Sequence, residues 1–185
     1  MDKKVIAECK KYPIDSDSLL TFISVETGGY GFDQKTGKII IQFEPLWFKK
    51  LAPKAPNGIW ASNKVSVQSK EWIAFNDAFS KNANAAMMAT SIGIGQLMGL
   101  HYKRLGYKSV SDMWDDAKKG IDRQIYQLFK FIDTDNKLKI ALMNQDWHRV
   151  ATIYNGSGYK QIAIKYGRVP YDEAMERAYQ QFKNK

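Results

Sequence analysis

The hydrophobic positions along the chain change period several times, and each change marks an element. Ile14, Leu19, Leu20, Phe22, Ile23 and Val25 recur at helical spacing. Asp15, Ser16 and Asp17 lie at the start of this run and carry side-chain oxygens suited to capping a helix N-terminus. The pattern predicts a helix from there to Glu26, where the glycines of Thr27-Gly28-Gly29-Tyr30-Gly31 break it. In the segment 33–45, DQKTGKIIIQFEP, the Thr36-Gly37 pair suits a turn and the β-branched and aromatic run after it suits a strand. A short hairpin is expected there.

Leu46 to Lys70 reads differently. It holds five lysines and no acid, with Pro53, Pro56 and Gly58 making much of it loop-like, and with Trp47, Phe48 and Trp60 interspersed. Helical spacing returns from Glu71, where Trp72, Phe75, Ala78 and Phe79 share a face. The stretch from Ser91 to Gly106 predicts a turn followed by a short helix. A helix is expected from Asp112 to Ile132, with Trp114, Ile121, Ile125, Leu128 and Phe129 on one side. Another runs from Leu138 to Tyr154 with an interruption near Asn144–Asp146. The last spans about Tyr171 to Phe182. The sum is a mainly α, α+β architecture: one helical domain over 1–185 with one small β-hairpin.

Composition narrows the function classes. At 185 residues, with 44% apolar and 13% aromatic residues, the chain has enough material for a packed core. A single cysteine, Cys9, excludes an internal disulfide and argues against a cysteine-based metal site. His101 and His148 are the only histidines and neither sits in a ligand-spaced motif, so no metal or cofactor is expected. No apolar stretch approaches the ~20 residues of a membrane span, and the N-terminal segment lacks the apolar core of a secretion signal. A product of the cytoplasm is therefore expected. The net charge of +9 implies a polyanionic partner, for which nucleic acid, anionic cell wall and lipopolysaccharide all qualify.

Three patches carry candidate chemistry. Glu26 ends an apolar helix at a glycine-rich turn, where an apolar wall would raise its pKa toward that of a general acid. The alternative is a carboxylate at a frayed helix end. Glu44, at the end of the expected strand, is the candidate second carboxylate. Its alternative is a strand-end side chain in water or paired with Lys49 or Lys50. Asp33 is a weaker candidate and suits a turn cap. Ser91-Ile92-Gly93-Ile94-Gly95-Gln96-Leu97-Met98-Gly99 combines glycines that let the backbone approach a ligand with an amide that both donates and accepts. A tight turn between elements explains the same glycines. Ile153-Tyr154-Asn155-Gly156 can line a cleft, or end a helix with Asn155 or Gly156 in a left-handed cap.

In order and spacing these patches resemble the lysozyme-like superfamily of goose-type lysozymes and lytic transglycosylases. Those proteins carry a Glu at a helix end, then a Gly-Leu-Met-Gln-like motif, then Ala-Tyr-Asn. The corresponding residues here are Glu26-Thr27, Gly93-Ile94-Gly95-Gln96 and Ile153-Tyr154-Asn155. The resemblance is closer to the phage N-acetylmuramidase endolysin family. It rests on Glu26 with Gly28, Gly29 and Phe32; on Phe43-Glu44; on Ser91 through Gly99; on Asp146-Trp147; and on Tyr154-Asn155-Gly156. It spans roughly Leu19 to Phe182, with Thr90 standing where that pattern has Ala.

The resemblance implies a peptidoglycan hydrolase that cleaves the β-1,4 bond between N-acetylmuramic acid and N-acetylglucosamine. Glu26 would be the general acid and Glu44 the second carboxylate. Ser91, Gly95, Gln96, Met98, Tyr154 and Asn155 would contact substrate. The hairpin would flank the catalytic cleft. It also implies a monomer that reaches periplasmic peptidoglycan after holin-type release, with an anionic outer-membrane surface as a further candidate partner and no nucleic acid. Three other readings stay open. One is a lytic transglycosylase forming 1,6-anhydro-muramic products, and another is an endochitinase-like hydrolase on a related fold. The third is a non-catalytic binder of anionic envelope or nucleic acid, suggested by the lysines and aromatics of Leu46–Lys70. The final helix has a second reading too, as a membrane-surface helix rather than one packed on the domain.

Overall fold

The computed structural model describes residues 2–64 and 67–184. Helices account for 61% of the described residues, and a small antiparallel sheet accompanies them, so the mainly α expectation holds. The α-helices and strands described in the first half are α1 (Lys3–Cys9), α2 (Ser16–Thr27), β1 (Ile41–Phe43), α3 (Pro45–Leu51), α4 (Gln68–Lys81), α5 (Ala83–Met88) and β2 (Thr90–Ile92). After them come β3 (Leu97–Met98), α6 (Val110–Ala117), α7 (Ile121–Asp133), α8 (Asn136–Met143), α9 (Trp147–Asn155), α10 (Tyr159–Lys165) and α11 (Tyr171–Lys183). The contacts divide the chain into two compact units, one of Met1–Gly29 with Phe129–Lys185, the other of Tyr30–Leu128.

The first unit is helical. Asp15 starts α2, its carboxylate accepting from the Ser18 backbone N–H at 2.8 Å and from the Ser18 hydroxyl at 2.8 Å. Leu19, Leu20, Phe22 and Ile23 are buried on α2. The helix stops at Gly28, whose φ of 63° is open to glycine and costly for other residues. α11 packs on α2 and α9, burying Met175 and Ala178. Of the two readings of the final helix, packing on the domain is the one observed. α1 and α10 carry no strong periodic signal and were not foreseen; α1 is held on α2 through buried Val5 and Cys9. Burial pushes the Cys9 thiol up to about 12, so it stays protonated and unreactive.

The second unit holds the sheet, in the order β1-β2-β3. The hairpin expected within 33–45 shrinks to a single bridge between Phe32 and Ile39, closed by Asp33. β1 pairs instead with β2, some fifty residues on, and the hairpin proper is β2–β3. The Ser91–Gly99 patch is thus the end of β2, the turn 93–96 and β3, so the expected turn is present inside a hairpin, and the expected short helix is reduced to a 3-10 turn at Gly99–His101. Burying Ile41 and Phe43 alongside Ile92 and Thr90 outweighed the local pairing. The free edge of β1 is closed by side chains of α4. Gln68 exchanges two bonds with Ile41, at 2.9 and 2.8 Å, and Glu71 accepts from the Phe43 N–H at 3.0 Å.

Two long expected helices are each broken in two. Asn82, at φ −156°, separates α4 from α5 and caps the latter through the Ala85 N–H. The residues around Gly120 separate α6 from α7. The lysine-rich stretch contains α3 and a 3-10 turn at Ile59–Ser62, with Phe48 and Trp60 buried edge to face; its residues 65 and 66 lie outside the described residues.

Candidate active site

Glu26 occupies the last turn of α2, in the first unit. α11 begins directly after Pro170, so its first residue, Tyr171, is brought to that turn by the packing of α11 on α2. The Tyr171 hydroxyl donates a hydrogen bond to Glu26 Oε1. Tyr154, near the end of α9, stacks against Tyr171 with ring centroids 6.2 Å apart. Phe22 meets Tyr154 edge-on at 4.7 Å, and Phe131 does so at 5.9 Å. The Glu26 residue keeps some exposed surface, but its carboxyl lies against this aromatic group rather than in bulk solvent.

Loss of hydration disfavours the ionised carboxylate and lifts the Glu26 pKa from 4.5 to about 7, while the Tyr171 bond pulls the other way. Burial, and then the Glu26 charge, raise both the Tyr154 and the Tyr171 phenol well above the usual range. Both remain neutral donors. Asn155, the exposed last residue of α9, bonds Tyr171, and Gly156 ends that helix at φ 84°. The helix does end at Asn155, but Gly156 at ψ 161° is not in the left-handed cap conformation that was expected, and the same segment also lies near Glu26. Tyr171 was missed as a site residue. It lies 145 residues from Glu26, and its spacing showed only a packing face.

The second unit carries the other candidates. Residues paired across antiparallel strands share a face, so Gln42, Ser91 and Met98 form one row across β1, β2 and β3. Ile41, Ile92 and Leu97 form the neighbouring row, which is buried. Gln42 and Met98 keep partial exposure, and Ser91 is buried between them. Glu44 follows β1 two residues after Gln42 and precedes α3. It accepts from Gln42 Nε2 at 2.7 Å. Burial raises its pKa, the Gln42 bond opposes this, and the Glu71 charge adds to the rise. Gln42 is the second missed residue, although the alternation of Gln42 and Glu44 along the strand was a usable signal.

Gly95 and Gln96 belong to the turn between β2 and β3. Gln96 adopts φ 46° and its amide donates to the Gly93 carbonyl at 2.9 Å, bracing the turn from within. Gln124, itself buried, accepts from the Ile94 N–H at 2.8 Å and donates to the Ala117 carbonyl at 3.0 Å. Gly95 lies against Leu128, where a Cβ would be 3.1 Å from Cδ1. This part of the patch is a rigid turn, and the row of Gln42, Ser91 and Met98 lies on the strands beside it. Asp33 caps its own turn, accepting from the Thr36 N–H and hydroxyl at 2.8 Å each. Among the described residues no group of three or more His, Cys, Asp or Glu side chains is placed to hold a metal ion.

A buried carboxyl that keeps its proton near neutral pH, supported by neutral phenols, is suited to acid catalysis. The family described as Muramidase, N-acetylmuramidase, matches residues 15–183. The chain belongs to this family and is a glycoside hydrolase acting on peptidoglycan. Among solved structures it is similar to the crystal structure of an endolysin from the Burkholderia phage AP3, with a TM-score of 0.74 and 25% identity over 98% of this chain and 68% of that one. A search of curated proteins gave no match.

Proposed function

We propose that the enzyme cleaves the β-1,4 bond between N-acetylmuramic acid and N-acetylglucosamine, with Glu26 as general acid. The observation that carries this reading is the Glu26 carboxyl, lifted to about 7 by its surroundings and bonded by Tyr171. Protonated Glu26 gives its proton to the bridging oxygen as the glycosidic bond breaks, and the muramic ring takes on oxocarbenium character. Water completes hydrolysis by adding to the anomeric carbon. Glu44 is the second carboxylate that holds or deprotonates this water, and Gln42 orients it through their 2.7 Å bond. Ser91, Met98, Tyr154 and Asn155 contact the sugars, while Gly95 and Gln96 keep the β2–β3 turn in place for them.

The same reading extends to organisation and location. The two units serve as one muramidase domain, which the single family match across 15–183 supports, and the enzyme acts as a monomer. We further propose synthesis in the bacterial cytoplasm and action on periplasmic peptidoglycan after holin-type release.

Purified sacculi digested with wild type and with Glu26→Gln test the reaction, read by reducing ends and product mass. The expected products are reducing muropeptides from wild type and almost none from the variant. Products lighter by one water would assign lytic transglycosylation instead. Wild-type turnover by Glu26→Gln would remove Glu26 from the reaction.

A further inference from the structure

α11 starts without the device that starts α2. Its N-cap is Pro170, which makes no side-chain capping bond. The chain that leads into it is exposed over residues 164–169. Helix ends fray unless something holds them. Tyr171, the first residue of α11, is the donor to Glu26, so the position of this end decides whether the acid keeps its partner.

Asp172, one residue on, supplies a hold. Its side chain is only 13% exposed, and its Oδ2 lies 2.9 Å from the Lys160 ammonium. The Tyr159 hydroxyl also bonds the carboxylate, so α10 contributes two donors. Tyr159 is itself buried and lies 2.7 Å from His148 Nδ1 on α9, and that nitrogen is 4.0 Å from Asp172 Oδ2. Burial opposes ionisation of Asp172, but the bonds from Lys160 and Tyr159 outweigh it and hold the carboxyl below its usual range. The other oxygen, Oδ1, is buried with no hydrogen-bond partner among the described residues. A carboxylate kept in that place at a cost asks for a reason. Successive helical residues point about 100° apart. The first turn of α11 is therefore gripped on two sides, at Tyr171 by Glu26 and Asn155 and at Asp172 by α10.

We propose that Asp172 is a positioning residue for the acid: clamped by Lys160 and Tyr159, it fixes the first turn of α11 and thereby keeps the Tyr171 hydroxyl on Glu26. It acts through Tyr171 and not through its charge, and the two routes differ in sign. Through space, loss of the Asp172 negative charge would lower the Glu26 pKa, and loss of the Lys160 positive charge would raise it. Through Tyr171, either loss frees the same hydroxyl. That removes a bond favouring ionised Glu26, so both losses raise its pKa.

Carbon-13 NMR of glutamate-labelled protein tests it, with Glu26→Gln to assign the resonance and no substrate present. The Glu26 midpoint is read in wild type, Asp172→Asn, Lys160→Met, Tyr171→Phe and the two double variants that carry Tyr171→Phe. Lys160 is 45% exposed, so its replacement is compatible with folding. The midpoint should rise by about half a pH unit or more in both Asp172→Asn and Lys160→Met. Neither should add to the rise caused by Tyr171→Phe. The alkaline limb of kcat/KM on purified sacculi should move with the midpoint. Unchanged midpoints, shifts of opposite sign, a rise in one variant alone, or shifts that add to Tyr171→Phe would each overturn the inference. Its consequence for turnover rests on Glu26 as the acid, whereas the midpoints do not. Wild-type turnover by Glu26→Gln, or a limb that stays put while the midpoint rises, would count against the proposed function and leave the positioning role standing.

Discussion

Replacing Glu26 with Gln should stabilise the protein above neutral pH while abolishing its activity. Folding lifts this carboxyl from 4.5 to about 7, so the native state holds the proton more tightly than the unfolded chain does. Glu26 therefore contributes its full stability below about 4.5, loses it as pH rises to about 7, and becomes a constant liability above that. At about 1.36 kcal/mol per pKa unit, the liability reaches about 3 kcal/mol. Gln has no proton to lose and still offers a carbonyl oxygen to the Tyr171 hydroxyl. Urea unfolding of both proteins from about pH 4 to about pH 8 should give nearly coincident stabilities at the acid end. The variant should then gain on wild type by about 3 kcal/mol at the alkaline end. A gap that does not change with pH would refute the reasoning, because a neutral substitution would then be acting through packing alone. A wild type that gains stability relative to the variant as pH rises would refute it more directly, since the carboxyl pKa would have to be depressed.

Tyr171→Phe removes a bond that favours ionised Glu26, so the alkaline limb of kcat/KM should move up by about one pH unit; an unmoved limb would show that the bond does not govern the acid. Glu44→Gln should lower kcat about 100-fold or more with little change in unfolding temperature, and unchanged hydrolysis would release Glu44 from its role. Gly99→Ala places a Cβ 2.1 Å from the Met87 carbonyl oxygen. It should destabilise the protein by about 2 kcal/mol or more, seen as a lower melting temperature. Asp116 is opposed by burial but held down to about 2 by bonds from Arg123, Tyr107 and Lys119. Its contribution is present above about 3.8 and disappears as pH falls through about 2, and Asp116→Asn should remove about 3 kcal/mol near neutral pH in denaturant unfolding.

What could be read from the chain depended on how local the causes were. α2, its Asp15 cap and its glycine stop depend on neighbours in sequence, and they were legible almost to the residue. The break between α8 and α9 and the start of α11 were legible for the same reason. The sheet was not. β1 selects β2 by burying Ile41 and Phe43, a choice made by tertiary packing that no local alternation records. The turn of Gly93–Gln96 depends on Gln124, thirty residues away, and on a positive φ at Gln96. At the candidate site, Glu26 stood out because an apolar helix ends there at a glycine-rich turn, a position that a frayed helix end explains as well, and the family resemblance supplied its role. Tyr171 did not stand out, because the packing of α11 on α2, rather than any motif, brings its hydroxyl to that carboxyl.

Acid catalysis by Glu26 requires that its carboxyl keep its proton near neutral pH. Carbon-13 NMR of glutamate-labelled protein, with Glu26→Gln to assign the resonance, measures that directly. The expected result is a carboxyl titrating with a midpoint of about 7, whereas a midpoint near 4.5 would contradict a proton held by burial.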